Sequence, residues 1–417
     1  MGQTIAEKIF SNHVGTACKA GDFVVCTPDL LMTHDANRPL TVDMLQKIGA
    51  RPVFDPARTV VVIDHHTPAP AETNANIHKR LRSWARENGT VLYESRGICH
   101  QLLPENGHVA PGDLVIGSDS HTCTYGALNA LSSGVGTTDL VVALTQGKLW
   151  FKVPASIRIE LSGTLPPGVF AKDLILHLLG RYGANGAVYK CLEFGGEGVS
   201  TLSVASRLTI CNMAVEMGAK AGIMPCDDRL LGWLKEKARH GPKPVAPDES
   251  AVYQDSWQID LAGLTPMVAR PHRVDDVVPA SQLEGVPVQQ ANLAGCTNGR
   301  LEDMRAAACI LKGKKINQDV RLLVVPASQQ VLMDAMAEGI MQTLLEAGAV
   351  LANPSCKGCS GGPRFGVPAD GDNVISSANR NFQGRLGNPA ANIYLASPAM
   401  VAAAALTGRI VDCRDFF

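Results

Sequence analysis

The chain alternates short β-branched runs with patterns of helical period, and this alternation constrains its fold more than any other feature. Phe23-Val-Val-Cys26, Thr59-Val-Val-Val-Ile63 and Asp113-Leu-Val-Ile-Gly117 read as strands of the first third. The polar segment Thr33-His-Asp-Ala-Asn-Arg-Pro39 reads as a loop before a helical pattern from Val42 to Ile48. In open α/β sheets, ligands bind beyond the carboxyl ends of the strands. Two of these strands run into polar triplets, Asp64-His65-His66 and Asp119-Ser120-His121, so both triplets are expected to carry chemistry.

The same grammar continues along the chain. Arg96-Gly-Ile-Cys-His-Gln101 is a loop or helix start that offers His100, and Gly126 to Gly147 is small and apolar, a loop followed by a closely packed helix. Ser156-Ile-Arg-Ile-Glu-Leu161 alternates as a half-buried strand, and Pro166-Pro167 marks the turn before a helix from Ala171 to Leu179. Ser206 to Gly218 reads as one helix, with Asn212 and Glu216 four apart on one face. Lys235 to Asp260, rich in Pro and charge, is the expected surface linker. A third unit from about Val286 holds a helix from Glu302 to Leu311, a strand from Val320 to Val325 and a helix from Ser328 to Ala347. It closes with a strand from Asn392 to Ala396 and an Ala-rich helix from Pro398 to Leu406.

Within that third unit lies Asn353-Pro-Ser-Cys-Lys-Gly-Cys-Ser-Gly-Gly362, too rich in Gly, Pro and Ser for a helix or strand interior. It lets Cys356 and Cys359 converge on one centre. Cys296 sits in a similar setting, Leu293-Ala-Gly-Cys-Thr-Asn-Gly-Arg300. A redox dithiol would open a helix behind a strand, and this segment is poor helix sequence. A structural zinc site wants four ligands, and the sequence has no second C-x-x-C or C-x-x-H. Spacing alone does not separate zinc from iron–sulfur, but the matching loops around Cys296 and the pair favour a cluster held by three thiolates. Three ligands would leave one iron open to substrate. His65, His100 and His121 each lie beside a carboxylate or polar partner in such loops, which suits proton transfer to a leaving hydroxyl. Arg380 and Arg385, flanked by Asn and Gly, suit bidentate binding of a carboxylate.

Composition excludes several classes. A net charge of -1 and 18% charged residues leave no basic footprint for nucleic acid. No apolar run approaches a membrane span, and the N-terminus lacks a secretory core. A cytoplasmic protein with reduced thiols is expected, so the 12 cysteines argue against a disulfide framework.

Taken together, Asp119-Ser-His-Thr122, Cys296-Thr-Asn-Gly-Arg300, Asn353-Pro-Ser-Cys-Lys-Gly-Cys359 and Asn379-Arg-Asn-Phe-Gln-Gly-Arg385 resemble the aconitase superfamily over nearly the whole chain. The resemblance implies an α/β fold of three α/β/α layered domains, 1–125, 126–285 and 286–417. It implies a [4Fe-4S] cluster on Cys296, Cys356 and Cys359. Asp64 and His65 match the pair that helps the hydroxyl leave, Asp119 and His121 match residues near that leaving group, and His100 and Glu216 match further active-site positions. Asn212 and Asn379 match groups that hydrogen-bond near the cluster. Arg380 and Arg385 match substrate-carboxylate binders, with His34 and Ser120 as further substrate contacts.

The implied activity is that of the large subunit of a hydro-lyase that isomerises a 2-alkylmalate, foremost 2-isopropylmalate to 3-isopropylmalate. Alternatives are homoaconitase, citramalate isomerase or 2,3-dimethylmalate dehydratase activity on a related hydroxy-dicarboxylate or tricarboxylate. Outside this class stand a cluster-free RNA-binding protein and a zinc or dithiol protein. The proton-abstracting serine of aconitases belongs to a swivelling domain, expected here as a separate small subunit. Gly295, Ser355 and Lys357-Gly358 depart from the family's usual residues, remove no ligand, and bear on substrate preference.

Overall fold

The computed structural model describes residues 2–37, 40–47, 53–359 and 365–417. By contact the chain forms two compact units, each assembled from separated stretches. The first comprises Met1–Ser95, Cys99–Ser162 and Ala187–Ile259; the second comprises Arg96–Ile98, Gly163–Gly186 and Asp260–Phe417. These units cut across the three successive segments expected from the sequence, because the helix Ala171–Tyr182 packs with strands that lie about a hundred residues further on.

The first unit contains a five-stranded parallel sheet in the order Val91–Glu94, Thr59–Ile63, Leu30–His34, Leu114–Gly117, Leu131–Gly134. Its three inner strands are buried throughout, as parallel strands covered on both faces are. Leu81, Trp84 and Ala85 of the helix Glu72–Asn88 and Leu140 and Leu144 of the helix Thr137–Gln146 join Leu31, Val61, Ile63 and Ile116 in one core. The register pairs His34 with Val62 and Met32 with Gly117, so His34, Asp64-His65 and Asp119 leave the sheet along the same edge. A four-stranded sheet, Ala221–Ile223, Cys191–Gly195, Ser156–Ser162, Asp255–Asp260, completes this unit. Its buried Glu193 accepts from the Ile5 and Ala6 amides, both at 3.0 Å, and so fixes the start of the N-terminal helix Ile5–Val14.

The second unit is built on a seven-stranded sheet: Val277–Pro279, Met267–Ala269, Asn392–Leu395, Asn373–Ser376, Gln290–Leu293, Arg321–Val324, Val350–Leu351. The last five are parallel and the first two antiparallel. The Ala-rich helix Pro398–Thr407 is buried from Pro398 to Ala405, its small side chains allowing close approach to the sheet and to the helix Leu301–Leu311.

Five local expectations change. Thr33 and His34 belong to a central strand, not a loop; they are polar residues at its carboxyl end, while Arg38, Pro39 and Ile48 lie outside the described residues. Leu131–Gly134 is a strand within what read as loop and helix. The α-helix Val204–Asn212 ends at Asn212 and continues as a 3-10 turn, Met213–Met217, so Asn212 and Glu216 do not share an α-helical face. Lys235 to Asp260 is no simple linker, because Val245 is buried, its amide bonded to Asn129, and Asp255–Asp260 is a strand. Ser328 to Ala347 is also divided, into helices Gln329–Ala337 and Ile340–Ala347, at Gly339.

Candidate active site

The first unit gathers the expected histidines and carboxylates around Asp119. His100 Nε2 lies 2.9 Å from Asp119 Oδ1, and the His121 amide donates to the same oxygen at 2.7 Å. His65 Nε2 and His34 Nε2 lie 3.5 and 3.6 Å from Asp119 Oδ2. His121 passes on to Glu216 at 2.8 Å, and His65 Nδ1 to Asp64 at 2.7 Å. Asn212 donates to the Thr124 hydroxyl at 2.8 Å, which fixes the turn that follows His121. Ser120 opens that turn.

Burial works against any charge here, but the pairing overrides it. For His65, burial lowers the pKa, yet the Asp64 and Asp119 carboxylates raise it well above the ordinary value, so the ring is cationic at neutral pH. For Asp119, burial raises the pKa, and His100, His121 and His65 pull it well below the usual range. His34 goes the other way: burial, reinforced by the neighbouring His65 charge, holds it neutral. Its ring stacks on His65 with centroids 4.3 Å apart. Its Nδ1 accepts from the Ala36 amide at 3.2 Å, which assigns the proton to Nε2. Among the described residues that Nε2–H makes no hydrogen bond, Asp119 Oδ2 lying just beyond reach at 3.6 Å, so it is a donor available to a ligand.

Two organising residues escaped sequence reasoning. Asp35 accepts from the amides of Asp64, His65 and His66 at 3.1, 2.9 and 2.8 Å and from His78 Nε2 at 3.2 Å. It therefore shapes the Asp64-His65 turn, and its position beside His34 was the available signal. Tyr125 lies 3.1 Å from His100 Nδ1, with no sequence cue beyond proximity to His121.

In the second unit Cys296, Cys356 and Cys359 are all buried, and all twelve cysteines of the chain are free thiols. One amide ties two of the three together. The Cys359 thiol donates to Asn379 Oδ1 at 2.9 Å, and Asn379 Nδ2 donates to Cys296 Sγ at 3.4 Å. Arg385 Nη2 lies 3.6 Å from Cys359 Sγ, so a cation faces the same sulfur. Arg380 follows Asn379 in the chain and is half-buried.

Glycine makes this approach of loops possible. Gly295 has φ +97°, and a Cβ on Gly358 (φ +76°) would sit 2.8 Å from the Ala294 Cβ. Gly295 is thus required by its left-handed backbone, and Gly358 by both its backbone and the close Ala294 contact. Two buried cations brace the loops from behind. Arg300 donates to the Cys296 and Thr297 carbonyls at 2.7 and 2.6 Å, and Lys172 donates to the Ser377 and Ala378 carbonyls. Buried sulfurs that meet N–H donors and positive charge fit a thiolate-ligated metal centre.

The first unit thus carries a buried histidine–carboxylate cluster and the second three buried cysteines, residue types that suit acid–base and metal chemistry. Comparison with known proteins gives the family. The family model for the aconitase family (aconitate hydratase) matches residues 7–285 and 279–408, and the chain belongs to that family. It is 45% identical over 418 aligned positions, all of both chains, to a 3-isopropylmalate dehydratase large subunit 1 of Methanopyrus kandleri. It is 46% identical to a 3-isopropylmalate dehydratase large subunit of Elusimicrobium minutum, over 100% of this chain and 99% of the other. It is also 48% identical, over 93% of this chain and 98% of the other, to a probable methanogen homoaconitase large subunit of Methanosarcina mazei. No helix among the described residues is long and apolar enough to cross a membrane.

Proposed function

We propose that the chain is the cluster-bearing large subunit of a cytoplasmic hydro-lyase that isomerises 2-isopropylmalate to 3-isopropylmalate through the dehydrated intermediate. The Asp119-centred cluster carries this proposal: a cationic histidine held between two carboxylates inside an aconitase-family chain. Full-length similarity to proteins named 3-isopropylmalate dehydratase large subunits supports the substrate.

In this proposal Cys296, Cys356 and Cys359 hold a [4Fe-4S] cluster, which when bound supplies a Lewis acid for the substrate's hydroxyl and a carboxylate. Among the described residues the three sulfurs do not all lie within 4.8 Å of one another, the group that does being His34, Asp35, Asp64 and His65.

The chain's own groups then divide the work. His65, kept protonated by Asp64 and Asp119, delivers the proton that turns the hydroxyl into water, with His100 on the other Asp119 oxygen holding that carboxylate in place. Glu216 orients His121. His34 Nε2–H and Ser120 contact substrate oxygen, and Arg380 and Arg385 hold carboxylates. Asn379 spaces the sulfurs, and Asn212 fixes the turn carrying His121. The base for the carbon-bound proton comes from a separate small subunit, in keeping with the "large subunit" names of the relatives. The cluster-loaded chain with its small subunit is expected to interconvert the two isopropylmalates, and the chain alone to be inactive. Full turnover by the chain alone would remove the partner from the scheme.

The homoaconitase-named relative, matched at 48% identity, supports a second substrate, homocitrate. The ratio of kcat/KM for 2-isopropylmalate and homocitrate in the reconstituted complex decides between them.

A further inference from the structure

Lys172 stands in the first turn of the helix Ala171–Tyr182, where the helix dipole disfavours a cation, and its side chain is fully buried. Burying an ammonium is strongly unfavourable unless opposite charge surrounds it. Its three N–H donors meet two acceptors, the Ser377 carbonyl at 3.0 Å and the Ala378 carbonyl, and among the described residues it makes no ion pair.

The nearby carboxylates are committed elsewhere. Asp173 accepts from the Phe170 and Met267 amides at 2.8 and 2.9 Å, and burial raises it to about 7. Asp303 accepts from the Asn298 side chain at 2.9 Å and the Arg300 amide at 2.8 Å. Of the groups whose ionised form would favour a charged Lys172, Cys359 comes first, followed by Asp303, Asp173 and Cys296. Moreover, the two carbonyls that Lys172 holds directly precede Asn379, whose amide spans the Cys359 and Cys296 sulfurs.

We propose that Lys172 is the buried counter-charge of the sulfur ligands, a positioning residue that braces the 377–379 backbone and stabilises the negative charge that the thiolates and cluster bring. The inference rests on the cluster reading above. It has a sign that a structural peg lacks: with neutral thiols and no metal the ammonium burdens the fold, whereas in the loaded protein it strengthens it. A fixed positive charge also favours the more reduced, more negative cluster.

The test uses the full chain as wild type, Lys172→Met, Lys172→Gln and Lys172→Arg, each loaded anaerobically with ferrous iron and sulfide. Removing the charge is expected to shift the one-electron redox equilibrium at least tenfold towards the oxidised cluster, about 59 mV in midpoint potential. Iron loss to a chelator should accelerate at least tenfold. The metal-free Lys172→Met chain should melt at the same or a higher temperature than metal-free wild type. Lys172→Arg should keep the wild-type potential. Should Lys172→Met fail to fold, Lys172→Gln, which keeps donors without charge, reads the same potential. An unchanged potential in the uncharged variant, with lower melting of both metal-free and loaded forms, would reduce Lys172 to a packing role and overturn the inference. Wild-type chain that takes up no iron would overturn the cluster reading itself, and the inference with it.

Discussion

The acid–base cluster and the sulfur loops solve opposite problems of burial. Around Asp119 every charge has a partner within the first unit: carboxylates face histidines at 2.7 to 3.6 Å, and Asp35 collects three amides behind them. Among the described residues, the His34 Nε2–H is the donor of this network left without an acceptor. The sulfur loops are the reverse. Buried cations, Lys172 and Arg300, brace them through the backbone carbonyls of Ser377, Ala378, Cys296 and Thr297. A polar network that satisfies itself is built to hold protons in place, whereas a buried ammonium held only by carbonyls, as Lys172 is among the described residues, is stabilised when negative charge is brought near it. One region stores charge and the other awaits it.

The largest test of this contrast strikes the waiting region. Cys356→Ser should abolish both iron retention and turnover while leaving the melting of the metal-free chain nearly unchanged; a variant that keeps its iron would contradict the ligand assignment. Asp119→Asn strikes the self-satisfied region and should cut kcat by about 10²- to 10⁴-fold with iron content intact. It should also change acid stability. Asp119 titrates well below its ordinary 3.8, so its contribution is complete above that value and disappears as pH falls through the lowered folded pKa. His65 is the converse: its contribution is complete below 6.5 and is lost only as pH rises through its raised folded pKa. Denaturant midpoints measured from about pH 4 downwards should therefore fall in the wild type and fall less steeply in Asp119→Asn. Equal slopes would separate the network from stability.

Arg385→Lys is expected to act more mildly. Replacing a planar fork by a point charge should raise KM about 10- to 100-fold, with a smaller effect on kcat. Gly358→Ala should have the smallest effect, about 1–2 kcal/mol of destabilisation from the left-handed φ together with the Ala294 contact, seen as a lower melting temperature.

The two regions also differed in how far the sequence disclosed them. Thr59–Ile63 and Phe23–Cys26 form strands with the expected bounds, because β-branched runs between polar ends leave few alternatives. Leu30–His34 does not read as a strand, because its carboxyl end is polar, although it lies at the centre of the sheet. Asn212 and Glu216 were placed on one helix, because nothing in the sequence marks where α-helical winding tightens to a 3-10 turn. The cysteines announced themselves by their Gly-rich settings. Lys172 did not: a lysine in an amphipathic helix looks like any solvated lysine until the strands from Met267 onwards fold over it. Short-range chemistry is written in adjacent residues, whereas compensation between distant segments appears only once they pack.

The central claim is that three buried thiols hold an iron–sulfur cluster. Iron, sulfide and zinc quantification of the anaerobically purified full chain, with its visible spectrum, tests it most directly. About four irons and four sulfides per chain with broad brown absorption are expected; a colourless protein, or one carrying zinc in place of iron, would contradict it.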